Sequence, residues 1–538
     1  MASKRMKNAD RATTDTLVQG LARDVVPMRT SRVRLVVAWI LAPVLLFLCL
    51  AGWAFSSPAG SSPDDDFHLA SIWCGDGIRP GLCENDGNPV ERVVPTALAK
   101  SYCYIFTPER SAACQGDWVS TDSGETGPTL RGNWSGDYPP VFYSVMGLFA
   151  SGSVGVSIIA MRLFNILLFV GLTACLYLLL PVGRRPALVG GLAITMVPLG
   201  MFLVPSTNPS SWAIISAGTL WIALLGYFES HGRRKLALGV IATVSTVIGA
   251  SARADAAVYA VIAVAAVTIL CFARNRTFIV ALILPAALVA ISAGFFFAAN
   301  QSSFAANGLP SGPAGAAPAD PGWMYLLTTN FLNVPHLWAD VFGSGPLGWL
   351  DTNLPAVVWV TGLAVFCGVT FSGLRSLPVR KGVALAGIAG ALWLIPTYIL
   401  VRSNTTVGFQ VQPRYLLPLI IVLAGVALLP ASGMRLDLTR TQRVLVICGL
   451  SGANAVALHV NIRRYVTGLD VTSWNLNAHA EWWWRIPVEP MSVWLIGSLA
   501  FAGCLCVMAW LLRGSANGTL RDVQHSGVSS IQTAPTIG

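Results

Sequence analysis

The chain has 538 residues, of which 54% are hydrophobic and only 11% are charged, and its mean hydropathy is +0.63. This balance excludes a soluble globular chain and indicates a polytopic membrane protein. The net charge of +10 comes from basic residues spread over short polar segments with no interleaved aromatic residues, so the sequence does not predict nucleic-acid binding.

Apolar stretches close to the length needed to cross a bilayer recur along the chain, separated by short polar or Pro/Gly-rich breaks. Their number predicts an all-α polytopic membrane protein with about twelve transmembrane helices, of which the fifth and tenth are the weakest. The predicted spans are 35–55, 154–180, 187–204, 212–228, 236–252, 256–273, 278–298, 354–374, 382–401, 415–430, 444–460 and 491–512.

The positions of Arg and Lys predict the orientation, because positively charged short loops stay in the cytoplasm. Most of these residues fall in inner segments if both termini are cytoplasmic. The Arg- and Ala-rich composition is typical of a GC-rich bacterial genome, so we expect a bacterial cytoplasmic membrane protein. The first span resembles an uncleaved anchor more than a signal peptide. The expected segments are a basic cytoplasmic tail (1–34), the first span (35–55), an extracytoplasmic loop (56–153), spans two to seven (154–298), a second extracytoplasmic loop (299–353), spans eight to twelve with outer loops (354–512) and a cytoplasmic tail (513–538).

The first predicted outer loop contains Cys74, Cys83, Cys103 and Cys114, in a compartment where disulfides persist. We favour two local bridges, Cys74 to Cys83 and Cys103 to Cys114. Four cysteines allow three pairings, and a metal site is a weaker alternative because no His lies at ligand spacing.

Three adjacent carboxylates, Asp64, Asp65 and Asp66, followed by His68, lie where the chain leaves the first span. Adjacent carboxylates repel one another, so at least one is expected to have a raised pKa unless a cation compensates, and such a group makes a good general base. The alternative is a solvated acidic loop. The sequence leaves open whether the three carboxylates also bind a divalent cation such as Mg, Mn or Ca.

Further polar residues are expected at the same outer surface. An Arg at membrane depth costs about 2.5 to 3.5 kcal/mol and normally faces a partner or a wet cavity, so several on one side predict an anion site. The alternative is that each Arg reaches the headgroups or pairs with a neighbouring carboxylate. The candidate substrate-binding residues are Tyr138, Arg162, Arg253, Asp255, Gln412, Arg414 and Tyr415.

Five short motifs carry a resemblance to a known family. They are the Pro-Asp-Asp-Asp-Phe-His segment at 63–68, the Pro-rich Tyr segment at 138–143, Asn-Pro-Ser at 208–210, "GWLDTNLP" at 348–355 and "QPRYLLP" at 412–418. Between residue 35 and about residue 430, this layout resembles the GT-C superfamily of lipid-phosphate-sugar-dependent glycosyltransferases. More narrowly, it resembles the bacterial membrane-protein family called domain of unknown function 2142.

The resemblance implies a GT-C-like fold, with Asp64 or Asp65 as the base and Arg414 as a contact for the donor phosphate. Ser210 stands where the family has Asp, which weakens the expectation that this loop binds metal or sugar. We therefore expect an inverting glycosyltransferase that moves a sugar from a polyprenyl-phosphate donor to an envelope glycan or glycolipid on the outer side, with His68 supporting the base. The alternatives are a transporter or flippase for a lipid-linked glycan, and a non-catalytic partner in envelope assembly.

Overall fold

The computed structural model describes residues 33, 36–116, 124–303, 307–309, 322–430 and 438–529, with side chains up to residue 512. The expected N-terminal tail lies almost wholly outside these residues. Helices dominate the described part, and the only regular strands within it form one small sheet in the first loop.

The helices and strands are numbered in chain order. A π-helical turn, Val37–Leu41, leads into the first helix. The elements are α1 (Ala42–Phe55), α2 (Asp65–Trp73), β1 (Arg92–Pro95), α3 (Thr96–Lys100), β2 (Thr126–Thr129), α4 (Val141–Gly147), α5 (Val154–Leu179), α6 (Arg185–Thr195), α7 (Leu199–Leu203), α8 (Ser210–Glu229), α9 (Gly232–Ala250), α10 (Ala254–Cys271), α11 (Arg276–Ala281), α12 (Ile283–Ala298), α13 (Trp323–Val341), α14 (Ala356–Gly373), α15 (Val379–Arg402), α16 (Pro413–Ala427), α17 (Arg440–Val466) and α18 (Pro490–Ser529).

Nine helices in the described part are long and apolar enough to cross a membrane, so the predicted count of twelve is not confirmed. Every predicted span is largely helical, but three of the twelve do not form a single helix that is long and apolar enough to cross a membrane. The span at 187–204 is divided between α6 and α7. The first turn of α9 carries three basic residues. The helix α16 has 15 residues, or about 22 Å, which is shorter than the hydrocarbon core.

Two predicted boundaries differ from the structure. The second predicted loop, 299–353, contains the helix α13, which packs against α15 and α16. The last helix continues to Ser529, through residues that we expected to belong to the C-terminal tail.

The helices differ sharply in how much protein surrounds them. Most residues of α8 are buried inside the protein, whereas in α14 only Val358, Gly362 and Val369 are buried. Leu167, Phe371 and Leu499 are among the large apolar side chains left exposed on outer helices. Such exposure is typical of surfaces that lipid covers, so α8 lies at the centre of the bundle and α14 at its periphery.

Three helices, α8, α10 and α16, begin at the same end of the bundle, which we call the site end. The Asn208 side chain accepts a hydrogen bond from the Ser210 N–H at 2.9 Å where α8 begins. Pro413 occupies the first turn of α16, where its missing N–H costs nothing. The N-terminal residues of three packed helices therefore lie close together.

The first loop, 56–153, covers the site end and is held by two disulfides, Cys74–Cys83 and Cys103–Cys114, so the favoured pairing is confirmed. Because all four cysteines form disulfides, they are not ligands of a metal site. The two strands of this loop, β1 and β2, pair antiparallel, with Arg92 opposite Thr129 and Pro95 opposite Thr126.

Candidate functional site

The five motif segments meet around residues 60–68, although 351 positions separate Pro63 from Arg414 in sequence. The Pro63 carbonyl accepts hydrogen bonds from Asn208 Nδ2 at 2.7 Å and from Arg414 Nη1 at 3.0 Å. Trp349 Nε1 donates to the Gly60 carbonyl at 2.8 Å, and His68 Nδ1 lies 2.9 Å from the Tyr143 hydroxyl. The fold thus brings together the residues that the motifs predicted to be important.

Asp64 and Arg414 form an ion pair at the centre of this region. The guanidinium is buried, with its side chain 2% exposed, whereas the Asp64 side chain is 37% exposed. Burial alone would raise the pKa of Asp64, but Arg414, with a smaller contribution from Arg131, holds that pKa below its ordinary value. Asp64 is therefore an ionised carboxylate with one side open to solvent.

The backbone of Asp64 lies in the left-handed region, with φ of 62°, immediately before α2. Asp is one of the few residues other than glycine that adopts this conformation readily. This turn directs the side chains of Asp64 and Asp65 apart, so the two carboxylates have entirely different partners.

Asp65 is fully buried. Its carboxylate accepts a hydrogen bond from the Ser62 N–H at 2.9 Å and lies 3.3 Å from the Thr207 hydroxyl. Burial raises the pKa of Asp65 to about 7, and the Ser62 hydrogen bond offsets only part of this effect. The expected carboxyl group with a raised pKa is therefore present, but it faces the protein interior.

Asp66 pairs with Arg131 at 2.8 Å, and this guanidinium also lies over the Phe67 ring. The three carboxylates of the acidic triplet consequently point to three different partners. Within the described residues, no group of three or more His, Cys, Asp or Glu side chains is placed to hold a metal ion. The triplet therefore does not have the geometry of a shared divalent-cation site.

His68 is buried one turn along α2 from Asp64, among aromatic rings. Its ring lies 5.2 Å from the Tyr138 ring and 6.1 Å from the Tyr143 ring, measured between centroids. Burial lowers the pKa of His68 to about 3, so the imidazole is neutral at physiological pH. Its Nε2 atom has no hydrogen-bond partner among the described residues.

Arg253 forms a second ion pair, with Asp255, through two hydrogen bonds of 2.8 and 2.9 Å. Here too the guanidinium is buried, at 5% exposed, and the carboxylate is more open, at 28%. The Tyr415 ring lies 4.7 Å from the Arg253 guanidinium and 5.1 Å from that of Arg414. Two buried cations therefore flank one aromatic ring, each with a half-open carboxylate partner.

Tyr138 completes the aromatic side of the cluster, because Arg253 also lies over its ring at 5.8 Å. Burial raises the pKa of Tyr138 to about 12, so its hydroxyl remains protonated and available as a donor. Gln412, also predicted to bind substrate, is half-buried and immediately precedes α16.

Arg162 has a different environment from the other two arginines. Its guanidinium donates to the backbone carbonyls of Ala54, Ser57 and Pro58 at 2.6 to 2.7 Å. These are carbonyls at the end of α1 and in the turn beyond it, so Arg162 fixes the course of the chain that leads to Asp64. Its two terminal nitrogens are already occupied by protein oxygens.

The family model described as "Predicted membrane protein (DUF2142)" matches residues 47–423. The match covers more than two thirds of the chain. The chain belongs to the DUF2142 family. No curated protein was found to match it. The matched range contains all five motif segments and every residue of the candidate site.

Two side chains of this DUF2142 chain, those of Arg131 and Thr207, contact the acidic triplet without having been predicted. Arg131 neutralises Asp66, and Thr207 contacts Asp65. Thr207 directly precedes the Asn-Pro-Ser motif, which was a usable signal, whereas nothing around Arg131 distinguishes it from other basic residues in the loop. Ser210 is the residue at which the Asn-Pro-Ser motif departs from the family pattern. Its hydroxyl oxygen lies 3.5 Å from Arg253 Nη1.

Proposed function

We propose that this protein is an inverting membrane glycosyltransferase of the GT-C type. It would transfer a sugar from a polyprenyl-phosphate donor to a hydroxyl of an envelope glycan or glycolipid. The observation that carries the proposal is the contact between Asp64 and Arg414, because it puts a candidate base beside a candidate phosphate-binding group.

The chemistry of the transfer needs these two groups together. Asp64 would remove the proton of the acceptor hydroxyl while that oxygen forms a bond to the anomeric carbon of the sugar. The bond from this carbon to the phosphate oxygen breaks, and its electron pair leaves with the polyprenyl phosphate. A guanidinium at that oxygen stabilises the negative charge that develops on the leaving group.

We assign the base to Asp64 in preference to Asp65 because of their surroundings. Asp65 is fully buried and occupied by Ser62 and Thr207, so a substrate hydroxyl has no approach to it. Asp64 is partly open. A donor phosphate that binds Arg414 would compete with Asp64 for the guanidinium, and the released carboxylate would become a stronger base as its pKa rises.

The neighbouring residues have supporting roles in this proposal. Arg253 and the Tyr415 ring would contact the second side of the donor phosphate, and the Tyr138 hydroxyl would donate a hydrogen bond to the sugar. His68 would be a positioning residue, since its neutral ring packs edge to face with the Tyr138 ring and its backbone N–H donates to the Asp64 carbonyl at 2.9 Å.

The two disulfides support an extracytoplasmic position for the site, in the bacterial cytoplasmic membrane. Disulfides persist in oxidising compartments and are rare in the cytosol. Both lie in the loop that carries Asp64, so this loop and the site would face outward, with both termini in the cytoplasm.

The test is to incubate the purified full-length protein with a panel of polyprenyl-phosphate sugars and candidate acceptors and to measure released polyprenyl phosphate. We expect release with at least one donor. Asp64→Asn should lower the rate by about two to four orders of magnitude, the usual contribution of a general base. The matched control is Asp66→Asn, which removes a carboxylate two residues away and should leave the rate nearly unchanged.

Two outcomes would contradict the proposal. One is equal loss of activity in Asp64→Asn and Asp66→Asn, which would show that the triplet acts only through its charge. The other is movement of the donor lipid from one leaflet to the other in reconstituted vesicles without any release of polyprenyl phosphate. That result would instead favour a flippase for a lipid-linked glycan.

A further inference from the structure

A cavity of about 840 Å³ lies at the end of the bundle opposite the site end. The helices α8, α10 and α16 all begin at the site end, and the cavity is lined by Glu229, Cys271 and Leu429 at or just beyond their other ends. None of the candidate site residues lines it. It is therefore a separate feature and needs its own explanation.

One part of the cavity wall is strongly basic. Arg184 and Glu229 neutralise each other through hydrogen bonds of 2.6 to 3.1 Å. Three more cations, Lys235, Arg380 and Lys381, line the same space. Within the described residues, none of these three lies within ion-pair distance of a carboxylate.

Lys381 has the most unusual position of the three, since it is only 4% exposed. Its ammonium group donates to the carbonyls of Gly373 and Leu429, both at 2.8 Å. An ammonium group has three donors, so one N–H remains for a ligand. Lys235 lies over the Tyr227 ring and Arg380 over the Phe272 ring, contacts that leave their charges unneutralised.

The other part of the wall is apolar and includes Leu225, Phe228, Leu270 and Phe278. A small anion would satisfy the cations but leave this surface uncovered. A molecule that joins a phosphate to an acyl chain satisfies both parts of the wall. The cavity also lies at the ends of membrane-spanning helices, where basic clusters attract anionic headgroups.

We infer that this cavity binds an anionic phospholipid, with the headgroup phosphate between Lys235, Arg380 and Lys381 and an acyl chain along the apolar wall. This inference does not depend on the proposed enzymatic function, because the two sites share no residue. Bound lipid would join the ends of α10, α15 and α16.

The test measures the affinity of purified full-length protein, in a neutral detergent, for short-chain phosphatidylglycerol. Phosphatidylcholine and inorganic phosphate are the comparison ligands. The cavity variant is Lys235→Gln with Arg380→Gln, and the matched control is Arg233→Gln with Arg276→Gln. The control removes the same charge at the same end of the bundle from residues that do not line the cavity.

We expect phosphatidylglycerol to bind more tightly than phosphatidylcholine, and the cavity variant to bind it roughly tenfold more weakly than wild type. The control variant should bind it like wild type. Equal weakening in the cavity and control variants would overturn the inference in favour of diffuse surface charge. Displacement of the lipid by an equal concentration of inorganic phosphate would overturn the assignment to a lipid.

The cavity variant should fold, because Lys235 and Arg380 form none of the described ion pairs, and its melting temperature without lipid checks this. If the double variant does not fold, Arg380→Gln against Arg276→Gln makes the same comparison with one charge. Equal affinities in those two variants would count against the inference.

Discussion

Two arginine–aspartate pairs, Asp64–Arg414 and Asp351–Arg464, each join distant parts of the chain but differ in their access to solvent. In the second pair both side chains are sealed, at 0% exposed for Arg464 and 4% for Asp351. Arg464 also donates to the carbonyls of Tyr104 and Arg110. In the first pair only the arginine is sealed, and the carboxylate is 37% exposed.

The difference indicates what each pair can do. A fully buried pair has no access to a ligand, and removing one partner leaves an uncompensated charge in the interior, so its role is to hold segments together. A pair with one open carboxylate contributes less to stability, because water can solvate the carboxylate when the pair separates. Such a pair can exchange its carboxylate for another anion, which a phosphate-binding site requires.

The largest expected effect on stability comes from breaking the sealed pair. Arg464→Leu leaves Asp351 buried without its cation and should lower the free energy of unfolding by about 3 to 5 kcal/mol. The measurement is the apparent melting temperature in detergent, with Arg414→Leu as the comparison. Equal destabilisation in the two variants would remove the distinction between the pairs.

The next effect concerns activity. Arg414→Gln should lower turnover by about two to three orders of magnitude, as expected when a donor to a developing negative charge is lost. Arg131→Gln is the matched control, because it also removes the arginine partner of one carboxylate in the triplet, Asp66. Assays of released polyprenyl phosphate should show the control close to wild type, and a comparable loss in both variants would count against a specific role of Arg414.

The smallest effect is a pH dependence of stability that involves Asp65, whose surroundings differ from those of the aspartates in both pairs. Its pKa is about 7 in the folded protein and near 3.8 in the unfolded chain. Between these values the folded state binds the extra proton, so stability falls as the pH rises through this window. Melting temperatures from about pH 5 to pH 8 should decline less in Asp65→Asn than in wild type or Asp66→Asn, and identical slopes would contradict the shifted pKa.

The sequence predicted what depends on local composition. Apolar stretches identified helices because a bilayer requires a long run of apolar residues, and the close spacing of the cysteines favoured the disulfide pairs that the structure contains. The motifs indicated that residues near 64 and 414 belong together, since they matched a family pattern.

The details that depend on tertiary packing were not predictable. The left-handed backbone at Asp64 decides which carboxylate faces Arg414 and which is buried, and nothing in three consecutive aspartates shows this. The backbone carbonyl partners of Arg162 come from a turn whose path only the fold defines. The helix Trp323–Val341 was assigned to a loop because its apolar residues form a stripe and not a continuous run.

The most direct test of the central claim is the affinity of the protein for polyprenyl phosphate in Asp64→Asn, compared with wild type and Asp66→Asn. If the donor phosphate and Asp64 compete for Arg414, removing the carboxylate charge should tighten binding by about two- to fivefold even though turnover is lost. Asp66→Asn should bind like wild type. Unchanged or weaker binding in Asp64→Asn would contradict a shared guanidinium and with it the proposed site.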